Sequence, residues 1–206
     1  PSASVVVPAR NEAGNLASLF ERLPRMGPQD EVILIEGHST DRTWEEIERC
    51  REVYGGRFRI KAARQDGVGK GDAVRKGSAM AENEVLMILD ADLTVPPEDL
   101  PKFFAALADD VGEFVNGSRL VYAMEERAMR FLNMVANKLF AAAFTYVLRQ
   151  PLKDTLCGTK ALRRTAWERI VRHRAFFGDF DHVEYETVLD FLVDFHGSAE
   201  VECVAA

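Results

Sequence analysis

Two aspartates spaced two residues apart, Asp90 and Asp92, are the side chains with the most specific chemical implication in this sequence. They follow the apolar run Val85 to Leu89, which is short enough to predict a buried strand of a parallel sheet. In an extended chain, side chains at i and i+2 lie on the same face, so both carboxylates would enter one small space. Carboxylates held that close repel each other unless a positive group lies between them. The pattern therefore favours a divalent cation bound through oxygen, with a phosphate completing its shell.

The same pair has a simpler interpretation as a local structural feature. Both aspartates could be solvated turn residues, or one could cap the helix that Pro96 and Pro97 are expected to begin. An Asp-x-Asp pair is common, so on its own it leaves both interpretations open.

Strands and helices alternate through the first half of the chain, which predicts the elements that position these aspartates. An open, mostly parallel sheet with helices on both faces is the architecture expected from such alternation. Ligands of these sheets bind at the carboxyl ends of the strands, and the polar loops of this chain fall there. The predicted strands are Ser4 to Val7, Glu31 to Ile35, Phe58 to Ala62 and Val85 to Leu89, and the predicted helices lie near 16–23, 44–54, 72–81 and 100–107.

The second half of the chain has a different pattern. Glu113 to Ser118 predicts a strand, and Glu125 to Leu148 predicts a long helix with a broad apolar surface. Because this helix contains charged residues, it is a poor transmembrane span. It is interpreted either as an interfacial helix lying on a bilayer or as a buried or oligomer-facing helix. Beyond it we expect a loop at 150–159, a short basic helix at 165–174, and an amphipathic helix with a short tail after 181.

Composition limits the classes of function. A chain of 206 residues that is 47% hydrophobic is expected to form one domain with a sizeable core. Its 26 basic and 33 acidic residues give a net charge of -7, which argues against nucleic acid as a partner. Three separated cysteines, Cys50, Cys157 and Cys203, indicate neither a disulfide framework nor a zinc site and favour the reducing cytoplasm. A first residue Pro1, with neither an initiator methionine nor a signal peptide, is expected of a piece of a longer protein.

Six motifs occur in order between residue 4 and about residue 164. They are PARNE (8–12), STDRT (39–43), GKGDAVRKG (69–77), DADLTVPPEDL (90–100), NGSR (116–119) and DTLCGTKAL (154–162). Together they resemble the family 2 glycosyltransferases, and within that family the polyprenyl-phosphate (dolichol-phosphate) sugar synthases.

This resemblance implies a GT-A fold, a Rossmann-like α/β sheet that binds a nucleotide-diphosphate sugar, UDP- or GDP-linked, through Mg²⁺ or Mn²⁺. Residues 1–206 would form a single domain, with a nucleotide-sugar-binding half (1–115) and an acceptor-side half (116–206). Compared with the family, the acceptor-side half is expected to be truncated or divergent at its C-terminus. The oligomeric state is left open.

The resemblance also implies which residues contact the donor. Asp90 and Asp92 would hold the metal, although Thr94 replaces the glutamine that the synthases often use as a further ligand. Glu36 falls where the family usually has an aspartate facing the base or ribose, because the usual Asp-Asp-Gly-Ser is here Glu36-Gly37-His38-Ser39. The implied donor-binding residues are Pro8, Arg10, Asn11, Glu12, Glu36, Gly69, Lys70, Gly71 and Asp90.

The glycine-punctuated loop before the third predicted helix adds a physical argument. Gly67, Gly69 and Gly71 would allow the backbone to approach a phosphate closely, and Lys70 would add a positive charge. A flexible turn before a helix is the alternative, but the position of the loop at the same sheet edge as Asp90 favours the phosphate.

Three basic residues match positions that the synthases turn towards an acceptor phosphate, namely Arg119, Arg130 and Lys160. A lipid phosphate is ionised near neutrality, so it would act as the nucleophile with little help from a base. A sugar hydroxyl would instead need a carboxylate base, for which Asp154 and Asp179 are the candidates.

The predicted function is transfer of a sugar from a nucleotide-diphosphate sugar to a polyprenyl phosphate or related glycoconjugate, by metal-assisted inverting displacement. Asp92, Lys70 and Asp154 are the predicted catalytic residues. The expected location is cytoplasmic, with peripheral attachment at the inner face of a membrane as an option. The main alternative is a non-catalytic nucleotide-sugar-binding module of a larger assembly. A sugar-1-phosphate nucleotidyltransferase is disfavoured, because residues 8–15 contain only Gly14 where a glycine-rich loop is expected.

Overall fold

A single mixed sheet organises the described part of the chain. The computed structural model describes residues 1–118, 157–173 and 198–202, together with position 146. Its elements, in chain order, are β1 (Ala3–Ala9), α1 (Leu16–Arg22), β2 (Glu31–Glu36), α2 (Thr43–Tyr54), β3 (Arg59–Arg64), α3 (Lys70–Met80), β4 (Val85–Ile88), a 3₁₀ turn (Pro97–Asp99), α4 (Leu100–Ala108), β5 (Phe114–Ser118), β6 (Lys160–Arg163), α5 (Arg164–His173) and β7 (Ser198–Glu202).

The strand order is β3-β2-β1-β4-β6-β5-β7. β1 pairs in parallel with β2 and β4, β2 with β3, and β5 with β7. β6 is antiparallel to both of its neighbours, β4 and β5. The sheet is therefore mostly parallel, as predicted, and the reversed strand β6 starts at the edge where β4 ends.

Helices cover both faces of the sheet, which confirms the predicted layers. Val5 and Val7 of β1 pack on the side of α1, α2 and α4, whereas Val6 points to the opposite side, covered by α3 and α5. Leu16 and Phe20 of α1, like Leu100 and Phe103 of α4, are fully buried and form the inner faces of these helices. Burial of these apolar faces fixes the starts of the helices and, with them, the loops at the carboxyl edge.

Two strands were missed by the sequence analysis. β6 lies between the predicted loop at 150–159 and the predicted basic helix, and β7 lies in the segment predicted to be a tail. The prediction of a tail at 198–202 is wrong because those residues pair in parallel with β5. Both strands are short, of four and five residues, and they pair with strands distant in sequence, so local pattern contained little information about them.

The described residues contain no helix with the length and apolar character needed to cross a membrane. Apart from position 146, the predicted long helix at 125–148 lies outside the described residues. So does most of the predicted amphipathic helix after 181.

Candidate functional site

A cleft of about 320 Å³ opens at the carboxyl ends of β1 to β4. This volume lies at the small end of the range for small-molecule sites, about 300–1,000 Å³. Each of the four strand ends contributes lining residues, as expected for a ligand site of a parallel sheet. The lining residues are Pro8, Ala9, Arg10, Glu12, Gly37, Gln65, Gly69, Lys70, Ala73, Asp90, Ala91 and Asp92.

Lys70 and Asp90 form an ion pair inside this cleft. The Nζ atom of Lys70 lies 2.6 Å from Oδ1 of Asp90, and the side chains are 24% and 17% exposed. Lys70 is the first residue of α3, and Gly69 before it has a φ of 88°, a conformation that favours glycine. Two carboxylates in one small space require a positive group nearby, and the ammonium group of Lys70 lies against one of them.

Asp92 lies in a turn rather than in an extended strand. β4 ends at Ile88, and Leu93 has a φ of 59°, so the expected extended geometry through Asp92 is wrong. Oδ1 of Asp92 accepts hydrogen bonds from the backbone N–H of Thr94 at 2.9 Å and from its hydroxyl at 2.8 Å. Both aspartates nevertheless line the cleft, so Asp92 is a turn residue whose position remains compatible with the predicted role as a metal ligand.

The loops after β1 and β2 are tied to each other. Asn11 has a φ of 59°; its N–H donates to Oγ of Ser39 at 3.0 Å, and its Oδ1 accepts from the N–H of Thr40 at 2.8 Å. The N–H of Glu12 donates to the hydroxyl of Thr43 at 2.8 Å. These bonds hold the backbone that carries Arg10 and Glu12 to the cleft.

Asp41 strengthens the same connection. Its carboxylate accepts hydrogen bonds from the hydroxyl of Thr43 at 2.5 Å and from the N–H of Ala13 at 3.3 Å. The hydrogen bond from Thr43 lowers the pKa of Asp41 below its ordinary value, so this anchor stays ionised near neutrality.

The carboxylate of Glu36 is not among the groups that line the cleft. Its Oε1 accepts from the N–H of Ser39 at 2.5 Å, and its Oε2 lies 3.8 Å from Nε of Arg64. Gln65 and Gly37, which the sequence analysis did not select, line that part of the cleft instead. The position of Gln65 directly after β3, at the same strand edge, was the information that could have identified it.

The glycine-punctuated loop is fixed by side chains on three sides. The carbonyl oxygen of Gly67 lies 2.9 Å from Nε2 of Gln65 and 3.0 Å from Nε2 of His38, and its N–H donates to Asp72 at 2.9 Å.

Three residues of the predicted donor set that the structure describes, Asn11, Glu36 and Gly71, are not among those lining the cleft.

The segment 157–159 forms a wall beside Asp90. Gly158 is buried against the carboxylate of Asp90 and the ammonium group of Lys70. Lys160, one of the predicted acceptor-phosphate residues, is 2% exposed, and its ammonium donates to the carbonyl oxygen of Cys157. The other residues predicted for the acceptor side, Arg119, Arg130, Asp154 and Asp179, lie outside the described residues.

The candidate metal ligands consist of two carboxylates. Among the described residues, there is no group of three or more histidine, cysteine or acidic side chains that could hold a metal ion. Asp90 and Asp92 supply oxygen donors to the cleft, which suits a hard cation that takes its remaining ligands from a phosphate and water.

Comparison with protein families identifies the family of this chain. The family model described as Glycosyl transferase family 2 matches residues 4–171. The chain belongs to this family. Its resemblance to the polyprenyl-phosphate sugar synthases is also confirmed by the curated proteins that it matches.

Two of these relatives carry names that refer to polyprenyl phosphates. The dolichol-phosphate mannosyltransferase of Pyrococcus furiosus is 29% identical over 171 residues, covering 81% of this chain and 47% of that protein. The undecaprenyl-phosphate 4-deoxy-4-formamido-L-arabinose transferase of Proteus mirabilis is 27% identical over 165 residues, covering 78% of this chain and 48% of that protein. The chain thus spans about half the length of the curated relatives it matches.

Solved structures confirm the GT-A fold. The glucosyl-3-phosphoglycerate synthase of Mycobacterium tuberculosis, crystallised with Mn²⁺, UDP and glucosyl-3-phosphoglycerate, superposes with a TM-score of 0.69 at 21% identity, covering 98% of this chain and 70% of that chain. TarS of S. aureus in complex with UDP gives a TM-score of 0.67 at 16% identity, covering 98% of this chain and 58% of that chain.

Proposed function

We propose that this chain binds a nucleotide-diphosphate sugar in the carboxyl-edge cleft and transfers the sugar to a polyprenyl phosphate by metal-assisted, inverting displacement. The observation that carries the proposal is the convergence of Lys70, Asp90 and Asp92 on one cleft of a family 2 glycosyltransferase. A diphosphate needs positive charge close to its oxygens. Carboxylates in the same cleft would repel it on their own, but they can bind it indirectly by holding a cation that also contacts the diphosphate.

Asp92 and Asp90 are the residues proposed to hold Mg²⁺ or Mn²⁺. Their oxygen donors match the preference of these cations, and a structural neighbour was crystallised with Mn²⁺ and UDP. When bound, the cation would neutralise charge on the diphosphate leaving group.

The chain's own residues supply orientation and charge for the displacement. Asp90 holds the ammonium group of Lys70 at the cleft, 2.6 Å away, where it would stabilise the negative charge that develops on the departing diphosphate. The loops anchored by Asn11, Glu12 and Asp41 keep the other wall of the cleft in place. Attack from the face opposite the diphosphate inverts the anomeric centre.

The proposed acceptor is a polyprenyl phosphate, because both relatives described above are named for that class of lipid. An ionised phosphate attacks with little help from a base, so the acceptor needs cationic groups more than a carboxylate. Arg119 and Arg130 are proposed for this role ahead of Lys160, which is 2% exposed. A lipid acceptor would place the protein at a membrane surface as a peripheral protein.

A transfer assay tests this proposal. The protein is incubated with UDP- and GDP-linked sugars, each with undecaprenyl or dolichyl phosphate in detergent, and with Mn²⁺ or excess chelator. We expect one donor to give a lipid-linked sugar that requires both the metal and the lipid phosphate.

Three other outcomes would have distinct meanings. Transfer to a sugar hydroxyl but not to a lipid phosphate would overturn the acceptor assignment and favour a carboxylate base such as Asp154. Tight metal-dependent binding of a nucleotide sugar without transfer to any acceptor would favour the non-catalytic binding module. Transfer undiminished by chelator would overturn the role of the metal.

A further inference from the structure

The antiparallel strand β6 brings a glycine directly to the charged pair of the cleft. Ile88, the last residue of β4, pairs with Lys160, the first residue of β6. In an antiparallel pair, each step forward on one strand is a step back on the other, so Asp90 comes opposite Gly158. The two residues lie beyond the ends of their strands, at the carboxyl edge of the sheet.

Space, rather than backbone conformation, makes glycine necessary at position 158. Its φ is outside the left-handed region, so the backbone itself would accept another residue. A Cβ atom added there would overlap Oδ2 of Asp90 and would lie 2.8 Å from Cγ of Asp90 and 2.6 Å from Nζ of Lys70. A side chain at 158 would therefore enter the space that the ion pair occupies.

The segment that carries Gly158 is anchored and cannot easily retreat. The ammonium group of Lys160 donates to the carbonyl oxygen of Cys157, and the N–H of Gly117 donates to the carbonyl oxygen of Thr159 at 3.0 Å. The side chain of Cys157 is buried against Gly117, where an added Cβ would lie 2.6 Å from Sγ. Lys70 and Asp90 meet position 158 through the ends of partly exposed side chains, so we expect a clash to displace those side-chain ends rather than the backbone of the segment.

We propose that Gly158 is a positioning residue for donor binding, whose lack of a side chain lets Asp90 hold Lys70 in the cleft. The inference rests on the proposed function, because the consequence of moving Lys70 and Asp90 is loss of the nucleotide-diphosphate site. It assigns a function in the donor site to the segment next to β6, which belongs to the predicted acceptor-side half.

A double-mutant cycle tests this proposal with Gly158→Ala, Asp90→Ala and the double variant. Affinity for UDP and GDP with Mn²⁺ is measured by calorimetry, and unfolding is followed in urea. Gly158→Ala should weaken nucleotide binding by about tenfold or more and lower the free energy of unfolding. In the Asp90→Ala background, where binding is already impaired, it should change the free energy of unfolding little, since the clashing carboxylate is gone and its ion pair with Lys70 is broken. Gly56→Ala is the matched control, because nothing lies within 4 Å of a Cβ at that exposed turn.

The unfolding data keep this test separate from the test of function. If the unsubstituted protein binds neither nucleotide, the proposed function fails. The coupling between positions 158 and 90 in the free energy of unfolding, measured in urea, still shows whether a side chain at 158 clashes with Asp90. If Gly158→Ala folds only when Asp90→Ala is also present, the proposal is supported. Equal effects of Gly158→Ala in both backgrounds, or unchanged nucleotide affinity in the single variant, would overturn it.

Discussion

The central sheet has an amino edge, where its parallel strands begin, and a carboxyl edge, where they end. Each edge carries a carboxylate paired with a lysine, but the surroundings of the two pairs differ. At the amino edge, Glu31 at the start of β2 is fully buried and pairs with Lys61 at 2.8 Å. At the carboxyl edge, Asp90 follows β4, remains 17% exposed and pairs with Lys70 at 2.6 Å. The first pair belongs to the folded core, whereas the second faces a cleft that a ligand can enter.

The amino edge is a closed network of charges and hydrogen bonds. Besides Lys61, the carboxylate of Glu31 accepts hydrogen bonds from the hydroxyl of Ser4 at 2.6 Å and the N–H of Glu82 at 2.7 Å. Burial raises the pKa of Glu31, but the hydrogen bonds from Lys61, Ser4 and Glu82 lower it by more, so the pKa lies below its ordinary value. Next to it, Asp30 accepts from three backbone N–H groups at 2.6 to 2.8 Å.

The carboxyl edge contains most of the unusual backbone. Four of the five described residues with a positive φ, namely Asn11, His38, Gly69 and Leu93, lie in the loops that follow β1 to β4, and Asp110 is the fifth. Such conformations persist only where surrounding contacts enforce them, and they concentrate at functional sites. The comparison teaches that one edge of this sheet is closed by buried ion pairs, whereas the other combines unusual backbone with the cleft proposed to bind the donor.

The largest expected effect comes from breaking the buried pair at the amino edge. Lys61→Met leaves the carboxylate of Glu31 buried without its nearest cation, and we expect a loss of about 3 kcal/mol in the free energy of unfolding. Urea denaturation measures this loss. The control Lys76→Met breaks an ion pair with an exposed aspartate, Asp66, and should cost less than about 1 kcal/mol. Equal losses in the two variants would refute the assigned difference between the edges.

Removing charge at the carboxyl edge should affect binding and activity rather than folding. Asp92→Asn keeps an oxygen that can accept the hydrogen bonds from Thr94, but it removes the carboxylate charge from the cleft. We expect metal-dependent transfer to fall by about 100-fold, equivalent to about 2.7 kcal/mol, with little change in stability. Asp109→Asn, at an exposed position after α4, is the control and should retain full transfer. Comparable activity of the two variants would contradict the role of Asp92.

Lys70→Met makes the same chemical change as Lys61→Met, but at the opposite edge. Because its pair with Asp90 is partly solvated, we expect the free energy of unfolding to change by less than about 1 kcal/mol. Affinity for the nucleoside diphosphate should fall by about tenfold, since a positive charge is lost from the proposed diphosphate site. Calorimetry and urea denaturation of both lysine variants check this contrast. A large loss in the free energy of unfolding with unchanged affinity for the nucleoside diphosphate would show that Lys70 stabilises the fold and does not contact the donor.

The smallest expected effect concerns the pH dependence of the amino edge. A carboxyl whose pKa is lower in the folded state than in the unfolded state stabilises the fold at every pH above its unfolded-state pKa, near 4.5. This stabilisation is lost as the pH falls from there through the folded-state pKa. The stability difference between the unsubstituted protein and Glu31→Gln should therefore be constant near neutrality and shrink below about pH 4.5. Urea denaturation at pH 7, 5 and 4 measures it. A difference that grows on acidification would show that the direction assigned to the pKa of Glu31 is wrong.

Much of the fold could be predicted from the sequence because its first half has strong local patterns. Apolar runs placed β1, β2 and β4 to within two residues of their ends, and helical spacing placed α1 and α4 to within one residue of theirs. β6 and β7 could not be predicted in this way, since their pairing depends on contacts between residues far apart in the chain.

The sequence identified the charged residues of the candidate site, but not how the surrounding segments pack against them. Spacing and motif selected Lys70, Asp90 and Asp92, and all three line one cleft. Gly158 was missed because its importance arises from the antiparallel register of β6 with β4, which was not predicted. The direction of the Glu36 side chain was also inaccessible, because it depends on the positions of Ser39 and Arg64 in the folded loops.

The most direct test of the central claim is a calorimetric titration of UDP and GDP with the protein in Mn²⁺ and again in excess chelator. We expect one nucleotide to bind in Mn²⁺ and its affinity to fall by about tenfold or more when the metal is removed. Affinity unchanged by the chelator would contradict the claim that the carboxyl-edge cleft binds a diphosphate through a cation held by Asp90 and Asp92.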